Sequence, residues 1–230
     1  MTSTSAHACR SQVCPGVDRK VLRTLLAVLA FALAAIQSPA ALAGSSCIWS
    51  VIDHKWTKDN AGIWDPTVYR TLMDGLTLAQ VGAALWEGSE SRFGKSSWQG
   101  MDAGLLTAGS VEVMKRAFTR MRPADTDDPC RFFAHDSNHS FPSGEAAQAA
   151  ALVAPYLFEY GGDHPATYGL LLLPIYVGVA RIKDQAHWQS DVLAGWAVGG
   201  LWGWYAHSRD TPLVVQILPG GVFVGIKARF

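Results

Sequence analysis

Apolar residues recur at intervals of three and four along most of this chain, the spacing that places them on one face of a helix. Leu72, Leu76, Val81 and Leu85 are an example. The pattern predicts five helices, at about 66–86, 98–120, 143–160, 167–182 and 189–207. The body of the chain is therefore predicted to be all-α, a helical bundle.

Polar segments rich in turn-forming residues separate these helices. Residues 87–97 carry two glycines, and residues 124–140 carry Asp, Pro and Asn, so both are predicted to be loops. Arg122 precedes Pro123, and a proline disfavours helical backbone in the residue before it. The second helix is therefore expected to end there.

The last residues have a different pattern. Residues 213–218 and 222–230 are rich in branched and aromatic side chains, and they flank the turn sequence Pro219-Gly220-Gly221. They predict a short C-terminal β-hairpin-like tail. Two strands cannot close a membrane barrel, so the tail is expected to pack on the helical body.

The first 43 residues have the pattern of a signal peptide. Basic residues at 19, 20 and 23 precede an apolar core at 24–36, and Ala41-Leu42-Ala43 is a small-x-small cleavage pattern. Cleavage is predicted before Gly44, which leaves residues 44–230 as a single domain of an exported protein. An uncleaved anchor helix is the alternative.

Composition narrows the classes of function. The chain has 230 residues, 49% of them hydrophobic, which is enough for one sizeable core. Nineteen basic and nineteen acidic residues give a net charge of zero, so nothing favours a nucleic-acid partner. Beyond the leader only Cys47 and Cys130 remain, and in an exported protein they form one disulfide or stay as two free thiols.

The body of the chain is expected to be soluble or associated with a membrane surface. Its most apolar stretches, 165–180 and 192–206, are shorter than the roughly 18 residues of a membrane span. Nine tryptophans are compatible with contact at a bilayer interface.

Three short motifs carry candidate chemistry, and each has a physical reason to bind or attack an anion. Lys115 and Arg122 are two helical turns apart, so both cations are expected on one helix face. Ser143 and Gly144 follow Pro142 at a predicted helix start, where free N–H groups attract anions.

The third motif combines Arg181 with His187 and Asp191. His and Asp four residues apart lie on the same side of a helix. The carboxylate is then expected to accept a hydrogen bond from one imidazole nitrogen and to leave the other nitrogen free to attack.

Together these motifs resemble the type-2 phosphatidic acid phosphatase superfamily, which includes class A acid phosphatases, lipid phosphate phosphatases and vanadium haloperoxidases. The family pattern is Lys-x6-Arg-Pro, Pro-Ser-Gly-His and Ser-Arg-x5-His-x3-Asp. This chain departs from it at two positions: Ala180 replaces the serine, and Glu145 replaces the histidine that protonates the leaving group.

The resemblance implies the helical bundle of the phosphatidic acid phosphatase/haloperoxidase type and a metal-independent phosphatase without a cofactor. His187 would form a phosphohistidine, and Asp191 would orient it. The phosphate would be bound by the residues that match the family's cradle, namely Lys115, Arg122, Ser143, Gly144 and Arg181. Glu145 is the predicted catalytic acid, with His139 or His135 as alternatives, or a leaving group that needs no acid.

The predicted substrates are phosphate monoesters or diphosphates. Lipid-linked ones such as undecaprenyl diphosphate, phosphatidate or lipid A phosphates are favoured because exported relatives commonly act on them, and small phosphomonoesters are the alternative. A phosphate- or lipid-binding relative without turnover and a lipid phosphotransferase remain open. The short chain and the missing acid histidine weigh against a haloperoxidase. The oligomeric state is not predicted.

Overall fold

The computed structural model describes residues 47–134 and 139–209, together with the strands 215–218 and 221–224. The predicted signal peptide with its cleavage before Gly44 lies outside the described residues, and so does His135.

The described body is all-α, as the hydrophobic spacing predicts. Its five α-helices are α1 (Pro66–Glu87), α2 (Arg92–Phe118), α3 (Gly144–Tyr160), α4 (Leu172–Lys183) and α5 (Gln189–His207). Short 3-10 helices lie at Ile48–Val51, Gly62–Trp64 and Pro165–Leu171. The last of these occupies the beginning of the predicted fourth helix, so regular α-helix starts there only at Leu172.

Two short strands follow the helices in sequence. β1 (Val215–Leu218) pairs antiparallel with β2 (Gly221–Val224), and Leu218 lies opposite Gly221 in the register. They fall in the segment where the sequence predicts a hairpin-like tail.

The start of α2 corrects one prediction. Residues 92–97 were predicted to belong to a loop, but the helix already begins at Arg92. The Ser91 hydroxyl accepts a hydrogen bond from the Gly94 N–H at 3.0 Å and so caps the helix. Gly94 does not break the helix: a side chain there would collide with the Gly88 carbonyl oxygen, so glycine permits the close approach of the two segments.

The end of α2 corrects a second prediction. The helix ends at Phe118, and Thr119 has a left-handed backbone with φ of 35°. Arg122 therefore lies beyond the helix, and the predicted two-turn spacing from Lys115 does not exist. The chain folds back here, since the Phe133 N–H donates to the Phe118 carbonyl at 2.9 Å.

Helices α3 and α5 pack closely through a row of glycines at every fourth residue of α5. A β-carbon on Gly195 would lie 2.5 Å from the Ser143 carbonyl oxygen. A β-carbon on Gly199 would collide with the Ala147 carbonyl, and one on Gly203 with the Ala154 side chain. This contact holds the first turns of α3 and α5 side by side, where the predicted anion-binding and histidine motifs lie.

A disulfide fastens the segment before α1 to the loop after α2. Cys47 and Cys130 are bonded, with their Cα atoms 6.2 Å apart. Of the two alternatives that the sequence leaves open, the structure has the disulfide.

The outer surface is rich in apolar side chains. Those of α1, the 3-10 helix at 165–171 and α4 that are exposed include Leu72, Leu76, Leu78, Leu85, Trp86, Leu170, Leu171, Leu172 and Ile175. Within the part of the chain that the structure describes, one helical stretch, Pro165–Lys183, meets the length and composition needed to cross a membrane.

Candidate active site

The first turns of α3 and α5 and the last turns of α2 and α4 bring the motif residues together. Glu145 in α3 contacts residues from two other segments: its Oε1 lies 3.3 Å from Arg181 Nη2 and its Oε2 lies 3.6 Å from His187 Nε2. A β-carbon on Gly144 would lie 3.6 Å from Lys115 Nζ. The structure therefore brings residues of all three predicted motifs close together.

His187 is 1% exposed and is held by the backbone. Its Nδ1 lies 2.6 Å from the Ser140 carbonyl oxygen. Because a carbonyl only accepts, Nδ1 carries a proton and donates it to the Ser140 carbonyl. Nε2 is buried and makes no hydrogen bond among the described residues.

Asp191 does not make the predicted hydrogen bond to the imidazole. Its Oδ2 is 3.9 Å from His187 Nδ1, beyond hydrogen-bonding distance, and accepts from the Ser140 hydroxyl and the Trp188 N–H instead. The prediction was wrong because α5 begins only at Gln189, so residues 187 and 191 do not both lie on a helix face. Asp191 reaches the imidazole through Ser140.

Arg120 is the principal contact that the sequence motifs do not reveal. It is fully buried, and its guanidinium pairs with Asp191 Oδ1 and, at 2.6 Å, with Asp53 Oδ2. Burial raises the pKa of Asp191, but the nearby His187 and the Arg120 charge outweigh it and hold that pKa below its usual value. The sequence offered one signal for Arg120: it is a second arginine, two residues before Arg122 of the motif.

Arg181 is 4% exposed, and its guanidinium is fixed on one side. Nη1 donates to Asp184 Oδ2 at 2.8 Å and to the Tyr69 hydroxyl. Nη2 faces Glu145, while Nε is buried without a hydrogen-bond partner among the described residues. The sequence did not indicate Tyr69 or Asp184.

Lys115 shares the electrostatic environment of the other cations. Burial lowers the pKa of its ammonium group, Glu145 partly opposes that effect, and the positive charges of Arg122 and Arg181 reinforce it. Lys115 is therefore within electrostatic reach of both guanidinium groups, and an anion beside Lys115 would relieve the repulsion between these charges.

Ser143 is the N-cap residue of α3, but its hydroxyl does not cap the helix. The buried Oγ makes no hydrogen bond among the described residues. Its backbone N–H donates to the Asp191 carbonyl at 2.9 Å, which fixes the residue. Because buried polar atoms are nearly always hydrogen-bonded, the unpaired Ser143 Oγ, His187 Nε2 and Arg181 Nε indicate a site for a polar ligand.

The surroundings of Glu145 favour the ionised form of its carboxyl group. Burial raises the pKa of its carboxyl group, but the facing His187 and the Arg181 guanidinium outweigh burial and bring that pKa far below the usual value. A carboxylate accepts hydrogen bonds only, so Glu145 must first take up a proton if it is to act as an acid.

His139, the alternative acid, lies immediately before Ser140. Its Nδ1 is buried and makes no hydrogen bond among the described residues. Its neighbour Ser140 contacts both His187 and Asp191, so the residue belongs to the loop that forms the site.

A cavity of about 480 Å³ opens beside these residues. Lys115, Gly144 and Glu145 form one wall, and Tyr69, Met73 and Thr77 of α1 form another. Elsewhere in the described part of the chain, no group of three or more His, Cys, Asp or Glu side chains is arranged to hold a metal ion.

Comparison with known proteins agrees with the motifs. Residues 103–211 match the PAP2 superfamily, and they include every motif residue from Lys115 to Asp191. This part of the all-α body therefore resembles the PAP2 superfamily, the class to which the phosphatidic acid phosphatases belong.

Curated proteins are similar to part of this chain. A lipid A 1-phosphatase of Porphyromonas gingivalis is 36% identical over 100 residues, which cover 43% of this chain and 20% of that protein. A lipid A 1-phosphatase of Rhizobium etli is 32% identical over 95 residues, or 39% of this chain and 40% of that protein. The chain therefore spans less than half the length of the curated relatives it matches.

A solved structure is also similar. The crystal structure of Aquifex aeolicus LpxE aligns with 74% of this chain and 99% of its own, at 20% identity and a TM-score of 0.42.

Proposed function

We propose that this protein is an exported phosphatase that hydrolyses phosphate monoesters or diphosphates of lipids through a phosphohistidine on His187. The observation that carries the proposal is the buried imidazole of His187: the Ser140 carbonyl fixes its Nδ1, while its Nε2 makes no hydrogen bond among the described residues and lies 3.6 Å from Glu145, which also contacts Arg181. A tetrahedral phosphate would pair with Nε2 and with Arg181.

In the first step, Nε2 of His187 attacks phosphorus. An N–P bond forms, the bond from phosphorus to the leaving oxygen breaks, and that oxygen keeps the electron pair and takes a proton. Lys115, Arg122 and Arg181 compensate the charge on the other phosphate oxygens, which is the main requirement of phosphoryl transfer.

In the second step, water attacks the phosphohistidine. An O–P bond forms, a proton of the water passes to the Glu145 carboxylate, the N–P bond breaks with its electron pair returning to Nε2, and inorganic phosphate leaves. The Ser140 carbonyl keeps the proton on Nδ1 while the ring carries positive charge, and Asp191 stabilises that charge from 3.9 Å.

Glu145 supplies the proton to the leaving oxygen in this proposal. The carboxylate is ionised in the free protein because Arg181 and His187 face it. A bound phosphate would take over Arg181 and place negative charge beside Glu145, and both changes raise the pKa of a carboxyl group. Glu145 would then accept a proton as substrate binds and return it to the leaving group.

A lipid substrate is favoured by two observations. The curated relatives are lipid A 1-phosphatases, and they are 32–36% identical to this chain over 94–100 residues. Exposed apolar side chains on α1 and near α4 offer a surface for acyl chains or a bilayer, in agreement with association at a membrane. Export is supported by the predicted leader and by the disulfide, because disulfides persist in oxidising compartments.

The test is a substrate panel with the purified protein in EDTA, comparing a lipid A 1-phosphate, a phosphatidate and p-nitrophenyl phosphate. Wild-type protein should release phosphate from the lipids and form an acid-labile phosphoprotein, and His187→Ala should do neither. His164→Ala, which changes an exposed histidine elsewhere, should retain both. Turnover by His187→Ala, or loss of wild-type activity on chelation, would refute the proposal.

A second candidate, a phosphate-binding relative without turnover, is favoured by one observation: Glu145 replaces the family's acid histidine and is ionised. The same panel distinguishes the two. Binding of vanadate by the wild-type protein without release of nitrophenol would support the binding protein.

A further inference from the structure

We infer that Arg120 is a positioning residue for the nucleophile, and that Asp53, fastened by the Cys47–Cys130 disulfide, holds Arg120 in place. The inference rests on the proposed role of His187. It adds to the site a second carboxylate that lies 134 positions from the histidine in sequence.

The guanidinium group of Arg120 is held in one position by its hydrogen bonds. Its side chain is fully buried, Nη1 donates to Asp191 Oδ1 and to the Ser190 hydroxyl at 2.7 Å, and Nη2 donates to Asp53 Oδ2 at 2.6 Å. Nε donates to the Pro129 carbonyl at 3.1 Å. A planar guanidinium bonded on all sides keeps one orientation, and its two carboxylate partners compensate its charge.

Asp191 connects Arg120 to the two sides of the site, the imidazole of His187 and the anion-binding turn at Ser143. Its Oδ2 accepts from the Ser140 hydroxyl, and the carbonyl of the same Ser140 accepts from His187 Nδ1 at 2.6 Å. Its backbone carbonyl accepts from the Ser143 N–H at 2.9 Å. A shift of Arg120 would therefore move Ser140, whose carbonyl accepts from His187 Nδ1. It would also move Ser143, the first residue of the anion-binding turn.

Asp53 is bonded as completely as Arg120. Its Oδ1 accepts from the Ser190 N–H at 2.8 Å, and its Oδ2 accepts from the Ser190 hydroxyl at 2.7 Å as well as from Arg120. Asp53 thus links Arg120 to the first turn of α5, the helix that begins two residues after His187.

The disulfide secures the two segments that meet at Arg120. Cys47 belongs to the segment that ends in Asp53, and Cys130 follows Pro129, whose carbonyl binds Arg120. Asp53 and the Pro129 carbonyl, which accept hydrogen bonds from Arg120 and lie outside the helices, therefore belong to the two segments that the disulfide joins.

The experiment uses Asp53→Asn, which keeps the shape of the side chain and removes its charge. Two readouts are needed: the kcat and KM of the wild-type and variant proteins, and the 15N signals of the His187 ring, which distinguish Nδ1–H from Nε2–H. We expect kcat to fall on the order of 10- to 100-fold, the effect of a misplaced reacting group, with KM nearly unchanged. We also expect the ring to lose its single Nδ1–H tautomer.

Asp127→Asn is the matched control. It removes an exposed ion pair between Lys55 and Asp127, 2.7 Å apart, which joins the same two segments without touching Arg120. Its kcat and ring signals should equal those of the wild type, since exposed ion pairs contribute little. Reduction of the disulfide in the wild-type protein gives the second perturbation: kcat and the tautomer should change as in Asp53→Asn and recover on reoxidation.

The outcomes separate this inference from the proposed function. Unchanged kcat and ring signals in Asp53→Asn and in the reduced protein overturn the inference, even if the melting temperature falls. An equal change in Asp127→Asn also overturns it. A wild-type protein without turnover refutes the proposed function, while a tautomer change confined to Asp53→Asn and the reduced protein still supports the positioning role.

Discussion

Glu145 has the opposite charge to the histidinium that would serve as acid at this position in related phosphatases. In the free protein its carboxylate lies between Arg181 and His187, in the place where a phosphate oxygen would bind. In the proposed reaction, substrate would therefore compete with Glu145 for Arg181. The displaced carboxylate would then lie beside an anion, which raises the pKa of a carboxyl group.

The first prediction concerns this carboxylate. Glu145→Gln should lower kcat by about 100-fold or more on a phosphate ester with a poor leaving group, since general acid catalysis contributes on that order. It should have little effect on p-nitrophenyl phosphate, whose leaving group needs no proton. Steady-state kinetics on both esters provide the measurement. Equal losses on the two esters would show that Glu145 serves binding and not proton transfer.

Single residues were predictable where a motif marks them. Lys115, Glu145, Arg181 and His187 were indicated by the sequence, and the structure brings them together. Their supporting contacts were not, because Asp53, Tyr69, Arg120 and Ser140 lie in different segments and nothing in their spacing shows that they meet. A buried ion pair depends on tertiary packing, which local sequence patterns do not contain.

Helix positions followed from hydrophobic spacing, and some of their ends did not. The end of α3 at Tyr160 was predicted because Gly161-Gly162 follows it, and the bounds of α5 also agree with the prediction. The start of α2 was missed because a single hydroxyl, that of Ser91, caps it. The left-handed turn at Thr119 was missed because non-glycine residues rarely adopt it.

The contact between α3 and α5 leads to a second prediction. Gly199→Ala should lower the free energy of unfolding by about 1–3 kcal/mol, because the added methyl group collides with the Ala147 carbonyl and overpacks the contact. Activity should fall as well, since Ser143 directly precedes α3 and His187 lies two residues before α5. Chemical denaturation measures the first effect and phosphate release the second.

Gly200→Ala is the matched control in the same helix. No atom lies within 4 Å of a β-carbon at Gly200, so the substitution gains helix propensity without a collision. It should raise the free energy of unfolding by up to about 1 kcal/mol. Destabilisation of both variants to the same extent would refute the close-packing explanation.

At the scale of the whole molecule, buried carboxylates predict sensitivity to acid. The pKa values of Asp191 and Glu145 both lie below the usual carboxyl range in the folded protein. Their stabilising contribution is complete above the unfolded carboxyl pKa of about 4 and is lost as the pH falls toward the folded values. Melting temperature should therefore fall steeply below about pH 4, where unfolded carboxyl groups protonate first.

Glu145→Gln supplies the comparison for that measurement. The variant lacks one of the two depressed groups, so its melting temperature should depend less on pH in the acid range than that of the wild type. Parallel curves for the two proteins would show that Glu145 contributes nothing to the acid sensitivity.

The Cys47–Cys130 bond joins two residues 83 positions apart, and Cys130 directly follows Pro129, whose carbonyl accepts a hydrogen bond from Arg120. A newly made chain in a reducing compartment lacks this crosslink, so by our inference its imidazole is not yet aligned. Oxidation after secretion would then act as the activation step, and phosphorylated metabolites and lipid precursors inside the cell would be spared until the protein has left it.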